Sequence, residues 1–317
     1  MIVAQALALS ILCDLAALPF IVYSRFWLAR KYRQAQPRFV VWLRGYRRAI
    51  SLHAAVWIFC AITVYVVIRQ WPASWWLVTG GIFATVTLTL THLGPLAIFP
   101  WLYELRPLDR PGLQTRLDAL TRRVGTPLTA IQEWRLGLET RRPNAALVGI
   151  GSTRRVLLSD ALLADYSDDE IEVVLAYELA HHVNCDIWKT MVYEIVVVVA
   201  AAGAGHLVVG WFGTAFGMAG LHDVAGFPLL VLVGGAIVMT LAPVRNVMSR
   251  RHERRADQYA VELTRNPAAL VSSLRRFGEQ TFAEERPSRL VEWLFYTNHP
   301  MADRLSAARA ATEDARR

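Results

Sequence analysis

The sequence predicts a mostly α, multi-pass membrane protein with about five transmembrane helices and, outside the bilayer, a portion that includes a small β-sheet. Three observations carry that prediction. Hydrophobic residues fill 54% of the 317 positions, 11 of them tryptophan, and the mean hydropathy is +0.30, too apolar for a soluble chain that must also cover its core. Five separate windows are each long and apolar enough to cross a bilayer, for which about 20 residues suffice. All 34 Lys and Arg residues lie outside those windows, 33 of them in three blocks that five crossings bring to one face.

The first window, Ile2 to Tyr23, lacks a basic leader and carries Asp14 in its middle, so it reads as a retained span and not a cleaved signal. A block rich in Arg and Lys, 24–49, separates it from the second window, Ile50 to Ile68. The third, Trp75 to Leu102, holds four alternate threonines from Thr85 to Thr91 and then Pro95, which predicts a tilt or a kink near the proline. These three helices form an N-terminal membrane region, 1–102. The second region, 103–317, is interrupted at 191–244 by the fourth and fifth windows, Met191 to Phe212 and Phe227 to Val244.

Between the third and fourth windows, Arg110-Pro111-Gly112 and Arg142-Pro143-Asn144 read as turns. Leu113 to Val124 reads as a helix, and Pro127 to Arg135 as a short strand or loop. After Asn144, Ala-Ala-Leu-Val-Gly-Ile-Gly and then Arg155-Val-Leu-Leu-Ser predict two short strands with glycines at the turn. Ser167-Asp-Asp-Glu170 is a capping box that should start a helix.

Charge decides orientation and excludes one partner. The formal charge of +8 follows the loops between apolar segments, which is the pattern of a chain held with its basic loops in the cytoplasm and not of one that binds nucleic acid. The large segments are therefore expected on the cytoplasmic face of a cell (inner) membrane, with the N-terminus outside. Cys13, Cys60 and Cys185 have no metal spacing and imply no disulfide framework.

The helix begun at Ser167 carries Tyr177-Glu178-Leu179-Ala180-His181 in its second half. Positions 177 and 181 share one face. In H-E-x-x-H zinc proteases two histidines so placed grip the metal, and the glutamate between them is the base for water. Here the first histidine is a tyrosine, and E-x-x-H alone is weak evidence. Beyond two spans comes a second helical stretch, Arg251-His252-Glu253-Arg254-Arg255-Ala256-Asp257, able to supply a carboxylate ligand.

An H-E-x-x-H helix joined to an E-x-x-x-D helix across membrane spans resembles the HtpX and CAAX-prenyl-protease family of membrane zinc metalloendopeptidases. The match runs from about Pro143 to Arg304. It includes Pro143-Asn144-Ala145, similar to the family's edge strand for substrate backbone, the run-up Leu157 to Leu175, and His299-Pro300 followed by Arg304. The resemblance implies a cytoplasmic gluzincin-like domain in which His181 and Glu253 bind zinc, with Tyr177 at the third ligand position, and Glu178 acts on water. It implies Asp257 behind a ligand, His299 and Arg304 near the substrate or oxyanion as catalytic groups, and Asn144 and Ala145 against the polypeptide substrate.

Plainer readings hold for other residues. His182 sits about 100° around the helix from His181, so it is expected to pack or cap. His252 is expected at the surface beside the basic cluster, and His53, His92, His206 and His222 to be structural. Asp14 and Glu194 are expected to face protein or water. A transporter is disfavoured, since the spans are few and show no paired intramembrane charges. The expected function is zinc-dependent cleavage of internal peptide bonds in membrane-associated proteins. The alternative is a pseudoprotease that binds polypeptides without cutting, motivated by Tyr177.

Overall fold

The computed structural model describes residues 1–28, 31, 39–93, 104–135, 143–149, 153–281, 284 and 286–314. In chain order the elements are α1 (Ile2–Ile21), a π-helical turn (Val22–Leu28), α2 (Phe39–Gln70), α3 (Trp75–Leu93), β1 (Glu104–Pro107), α4 (Pro111–Arg123), β2 (Ala130–Arg135), β3 (Ala145–Val148) and β4 (Arg155–Ser159). There follow α5 (Asp160–Asp165), α6 (Asp168–Val183), α7 (Asp186–Phe212), α8 (Phe227–Thr264), α9 (Pro267–Thr281), α10 (Arg289–Phe295) and α11 (Met301–Asp314). The chain divides into two compact units, Met1–Val86 with Tyr193–Leu241, and Thr87–Val192 with Ala242–Arg317.

The first unit holds the apolar helices. Four helical segments are long and apolar enough to cross a membrane, Ile2–Leu28, Trp42–Gln70, Asp186–Phe212 and Val224–Thr264, and Trp75–Thr91 is a shorter apolar helix. The third predicted window is therefore helical but short among the described residues. Its predicted end, with Pro95, lies outside them. Within this unit Tyr65 donates from its hydroxyl to the carbonyl of Asp223, 3.1 Å away, and Trp75 donates from its indole to His206.

One expectation is corrected here. Asp14 Oδ1 lies 2.9 Å from His53 Nδ1, and Trp57 donates its indole N–H to His53 Nε2 at 2.9 Å. The apolar helices α1 and α2 thus do carry a paired acid and imidazole, while Asp14 faces protein and His53 makes structural contacts, both as expected. The residues stand 39 positions apart, a pairing that helix packing creates and no local spacing shows.

The second unit is built on a four-stranded sheet of order β1-β2-β4-β3. β2 and β4 run parallel, with Ile131 opposite Val156, whereas β1 against β2 and β3 against β4 are antiparallel. The stretch left open as strand or loop is thus a strand from Ala130. Pro111 opens α4, where a missing N–H costs nothing. Ser159 caps α5 by accepting from the Leu162 amide. The Ser167 capping box forms as expected: its hydroxyl accepts from the Glu170 amide, and the Glu170 carboxylate accepts from the Ser167 amide.

Leu113, Leu117 and Leu120 of α4 pack with Ile171, Leu175 and Leu179 of α6, Val156 and Leu158 of β4, and Leu270 and Leu274 of α9 in one core. Each such side chain contributes about 1.5–3 kcal/mol on burial. Arg116 also pairs with Asp169 and Glu172 across α4 and α6, but it is 41% exposed, and exposed pairs are worth about 0–1 kcal/mol. Packing, and not charge, sets the position of α6.

Candidate metalloprotease site

The core face of α6 is Ile171, Val173, Leu175, Ala176, Leu179 and Ala180, all buried. Helical geometry then leaves Tyr177, Glu178 and His181 together at the margin of that face, each half-buried. α8 supplies Glu253 and Asp257 one turn apart. The helix runs from Phe227 to Thr264, with Pro243 inside it.

Two positions of His181 are accounted for. Its Nδ1 lies 3.0 Å from Asp186 Oδ2, and its Nε2 lies 3.7 Å from Glu253 Oε1. Asp186 follows a turn at Asn184 and Cys185, where the φ of Cys185 is +55°, in the left-handed region that non-glycine residues seldom occupy. Asp186 is buried, and its other oxygen is 3.5 Å from His252 Nε2. His252 is itself 8% exposed, so its expected surface position is corrected: it points from α8 onto the Asp186 carboxylate.

Tyr177 donates its hydroxyl to Glu253 Oε2. Its ring meets that of His181 edge to face at 4.9 Å, and the Arg304 guanidinium lies over its other side, 5.5 Å from the centroid. Burial first, and then the Glu253 charge, raise the Tyr177 phenol well above its ordinary pKa. The Glu178 carboxyl is pushed up to about 7, chiefly by burial, with His181 opposing and Glu253 adding to the rise. Arg304 donates twice to Asp257, at 2.8 and 2.7 Å. Burial works against that guanidinium charge, but the Asp257 bonds outweigh it and hold the pKa above its ordinary value.

Asn144, Ala145, Tyr177, Glu178, Asp257 and Arg304 line one cleft of about 210 Å³, together with Leu270, Leu274, Phe277 and Asn298. β3 is an edge strand of the sheet, as is β1 at the other side, among the described strands. Ser159 donates its amide to the Asn144 carbonyl, so by antiparallel alternation the amide and carbonyl of Ala145 turn to the open side. His299 is not brought in: it lines a neighbouring cavity with Arg254 and Asp303, on the other side of Asp257 and Arg304.

Comparison with known proteins bears on this arrangement directly. Residues 107–312 match the family described as peptidase family M48. The chain belongs to that family. Residues 2–104 match the region described as CAAX prenyl protease N-terminal, five membrane helices, a stretch that holds three helices among the residues described here. An uncharacterized metalloprotease of Bacillus subtilis, YhfN, is 24% identical over 308 residues, covering 92% of this chain and 69% of that protein. CAAX prenyl protease 1 of Saccharomyces cerevisiae is 26% identical over 291 residues, covering 82% of this chain and 62% of that protein. The crystal structure of Ste24p from S. mikatae superposes with a TM-score of 0.83 at 22% identity, over 97% of this chain and 76% of that one, a likeness of fold. The resemblance read from the residues is borne out, and the chain is an integral-membrane M48 metalloendopeptidase.

Zinc at about 2.0–2.1 Å from nitrogen and oxygen sets tetrahedral ligands roughly 3.4 Å apart. His181 Nε2 and Glu253 Oε1, at 3.7 Å, come near that edge, and the Asp186 contact at Nδ1 leaves Nε2 to face the carboxylate, the usual support of a metal-binding histidine. No third His, Cys, Asp or Glu joins them among the described residues. The Tyr177 hydroxyl, bonded to Glu253, stands beside them and can act as a donor only after losing its proton. The residues fit zinc as two conventional ligands and a phenol.

Two roles differ from expectation in their partners. Asp257 holds Arg304, while the carboxylate beside His181 is Asp186. Asp186 was missed by reading the sequence, and its one signal was an acid opening a new helix five residues beyond His181. The α9 wall of the cleft was missed too, because Leu270, Leu274 and Phe277 have ordinary core spacing.

Proposed function

We propose that this M48 protein hydrolyses internal peptide bonds of membrane-associated polypeptides, using zinc held by His181 and Glu253 with Tyr177 as the third donor. The observation that carries the reading is the single cleft in which Glu178, Arg304 and the free backbone of Ala145 meet. When bound, zinc supplies Lewis acidity, which acidifies water and polarises a carbonyl.

The chain's own residues supply the rest. The Ala145 edge takes an extended substrate as an added strand, through backbone hydrogen bonds that do not depend on side chains. Glu178 accepts the proton of the attacking water and returns it to the leaving amine. A carboxyl raised to about 7 is matched to both transfers near neutral pH. Arg304, immobilised by two bonds to Asp257, presents a fixed positive charge to the oxygen that gains charge as the carbonyl becomes tetrahedral. A face directed to the cytoplasm of a cell membrane belongs to the same proposal and rests on the distribution of Arg and Lys.

A second reading is favoured by one contact. The Tyr177 hydroxyl occupies Glu253 Oε2, and a phenol that keeps its proton leaves the ion with two ligands, so the site would bind polypeptide without cutting it. Glu178→Gln separates the readings, since it preserves shape and removes the base. Purified full-length protein in zinc-containing buffer should cleave a fluorogenic polypeptide with a rate about 10²- to 10⁴-fold above the Gln variant. Equal turnover by both proteins rejects the peptidase assignment at this site.

A further inference from the structure

We infer that α10 is an interfacial helix that lays Leu290, Trp293 and Phe295 into the headgroup boundary of the bilayer. None of its residues is buried, yet four of the seven are apolar and exposed: Leu290 at 65%, Val291 at 38%, Trp293 at 50% and Phe295 at 73%. A helix of a soluble domain hides its apolar residues and exposes its polar ones. Here the apolar residues are exposed as well.

The helix is nevertheless firmly placed, because its backbone is held and its side chains are not. Asn246 Nδ2 donates to the Leu294 carbonyl at 2.6 Å, and Arg250 Nη1 donates to the carbonyls of Glu292 and Tyr296 at 3.0 and 2.6 Å. Asn246 and Arg250 are 5% and 8% exposed. These bonds reach the carbonyls at the C-terminal end of α10 and at its cap, Tyr296, where a helix runs out of donors of its own. Both anchors stand on α8, whose apolar stretch ends at Val244. Asn246 follows by two residues, about 3 Å along the axis.

The bonds therefore fix α10 at the level where α8 leaves the apolar phase. A tryptophan flanked by leucine and phenylalanine is the side-chain set favoured at that level, where an amphipathic indole meets the headgroups. Trp188, 48% exposed in the first turn of α7, marks the start of the other span in the same way. The occupant of the exposed face of α10 is thus lipid. From Phe295 the chain runs through Asn298, a wall of the cleft, to Arg304. The contact itself does not depend on whether the site cuts peptides.

The test uses the full chain in phosphatidylcholine vesicles, with Cys13, Cys60 and Cys185 replaced by serine and single cysteines introduced as L290C, F295C and, on the exposed face of α11, R309C. Each is labelled with bimane and quenched by lipids carrying a nitroxide on the acyl chain, or by aqueous iodide. The expected result is strong lipid quenching and weak iodide quenching at 290 and 295, with the reverse at 309. Iodide quenching at 290 and 295 equal to that at 309, without lipid quenching, overturns the inference. So does shielding from both quenchers, which would mean that a protein surface covers α10.

Discussion

Replacing Tyr177 by histidine should raise zinc affinity and peptidase turnover together. A phenol with a reference pKa of about 10 must give up a proton to become a ligand equal to imidazole, and at pH 7 that costs about 3 pKa units, or about 4 kcal/mol. Burial and the Glu253 charge push the phenol further in the same direction, while a bound dication pulls it back. Tyr177→His removes this cost and frees Glu253 Oε2 from its hydrogen bond. It also places imidazoles one turn apart on α6, the spacing that grips zinc from one helix face. The expected gain in zinc affinity is therefore up to about 10³-fold, from the same 4 kcal/mol. Metal content after equilibration with a competing chelator measures the first effect, and cleavage of a fluorogenic polypeptide at saturating zinc measures the second. If the wild-type chain already retains one zinc as tightly as the variant, and cuts as fast, the account of Tyr177 is wrong.

Three further outcomes are expected. Asp186→Asn removes the charge that orients His181 and should weaken zinc binding by about 10- to 100-fold, read by chelator competition; unchanged affinity would leave Asp186 a purely structural acid. Arg304→Lys keeps a positive charge opposite Asp257 but loses the two-pronged geometry. It should lower kcat by about 10²-fold with little change in KM, and a change confined to KM would reassign Arg304 to substrate binding. For Glu170, burial raises the pKa but is outweighed by the bonds from Ser167 and Ser272 and by the Arg276 charge, so the net shift is downward. A lowered folded-state value means that its stabilisation is present above the unfolded pKa, about 4.3, and is lost as pH falls through the folded one. Wild-type protein in detergent should thus lose thermal stability below about pH 4.5 more steeply than Glu170→Gln, and parallel melting curves would exclude Glu170 as the group responsible.

Much of this protein was legible without coordinates because its signals are local. Apolar windows of about 20 residues report spans directly, since a bilayer tolerates no unsatisfied backbone. Ser167 and Glu170 announce the start of α6 by satisfying the amides that a helix start exposes. Once α6 is a helix, the 3.6-residue repeat places Tyr177 and His181 on one face, and the same repeat places Glu253 and Asp257 one turn apart. What the tertiary structure alone decided is which of these groups faces which. Asp257 takes Arg304, Asp186 takes His181 and His252, and His299 falls outside the cleft. Asp14 meets His53 between two helices that composition describes only as apolar. Such pairings depend on how α6, α8 and α11, or α1 and α2, are rotated about their axes. The packing of their apolar faces sets that rotation, and sequence spacing within one helix carries no information about its angle to the next.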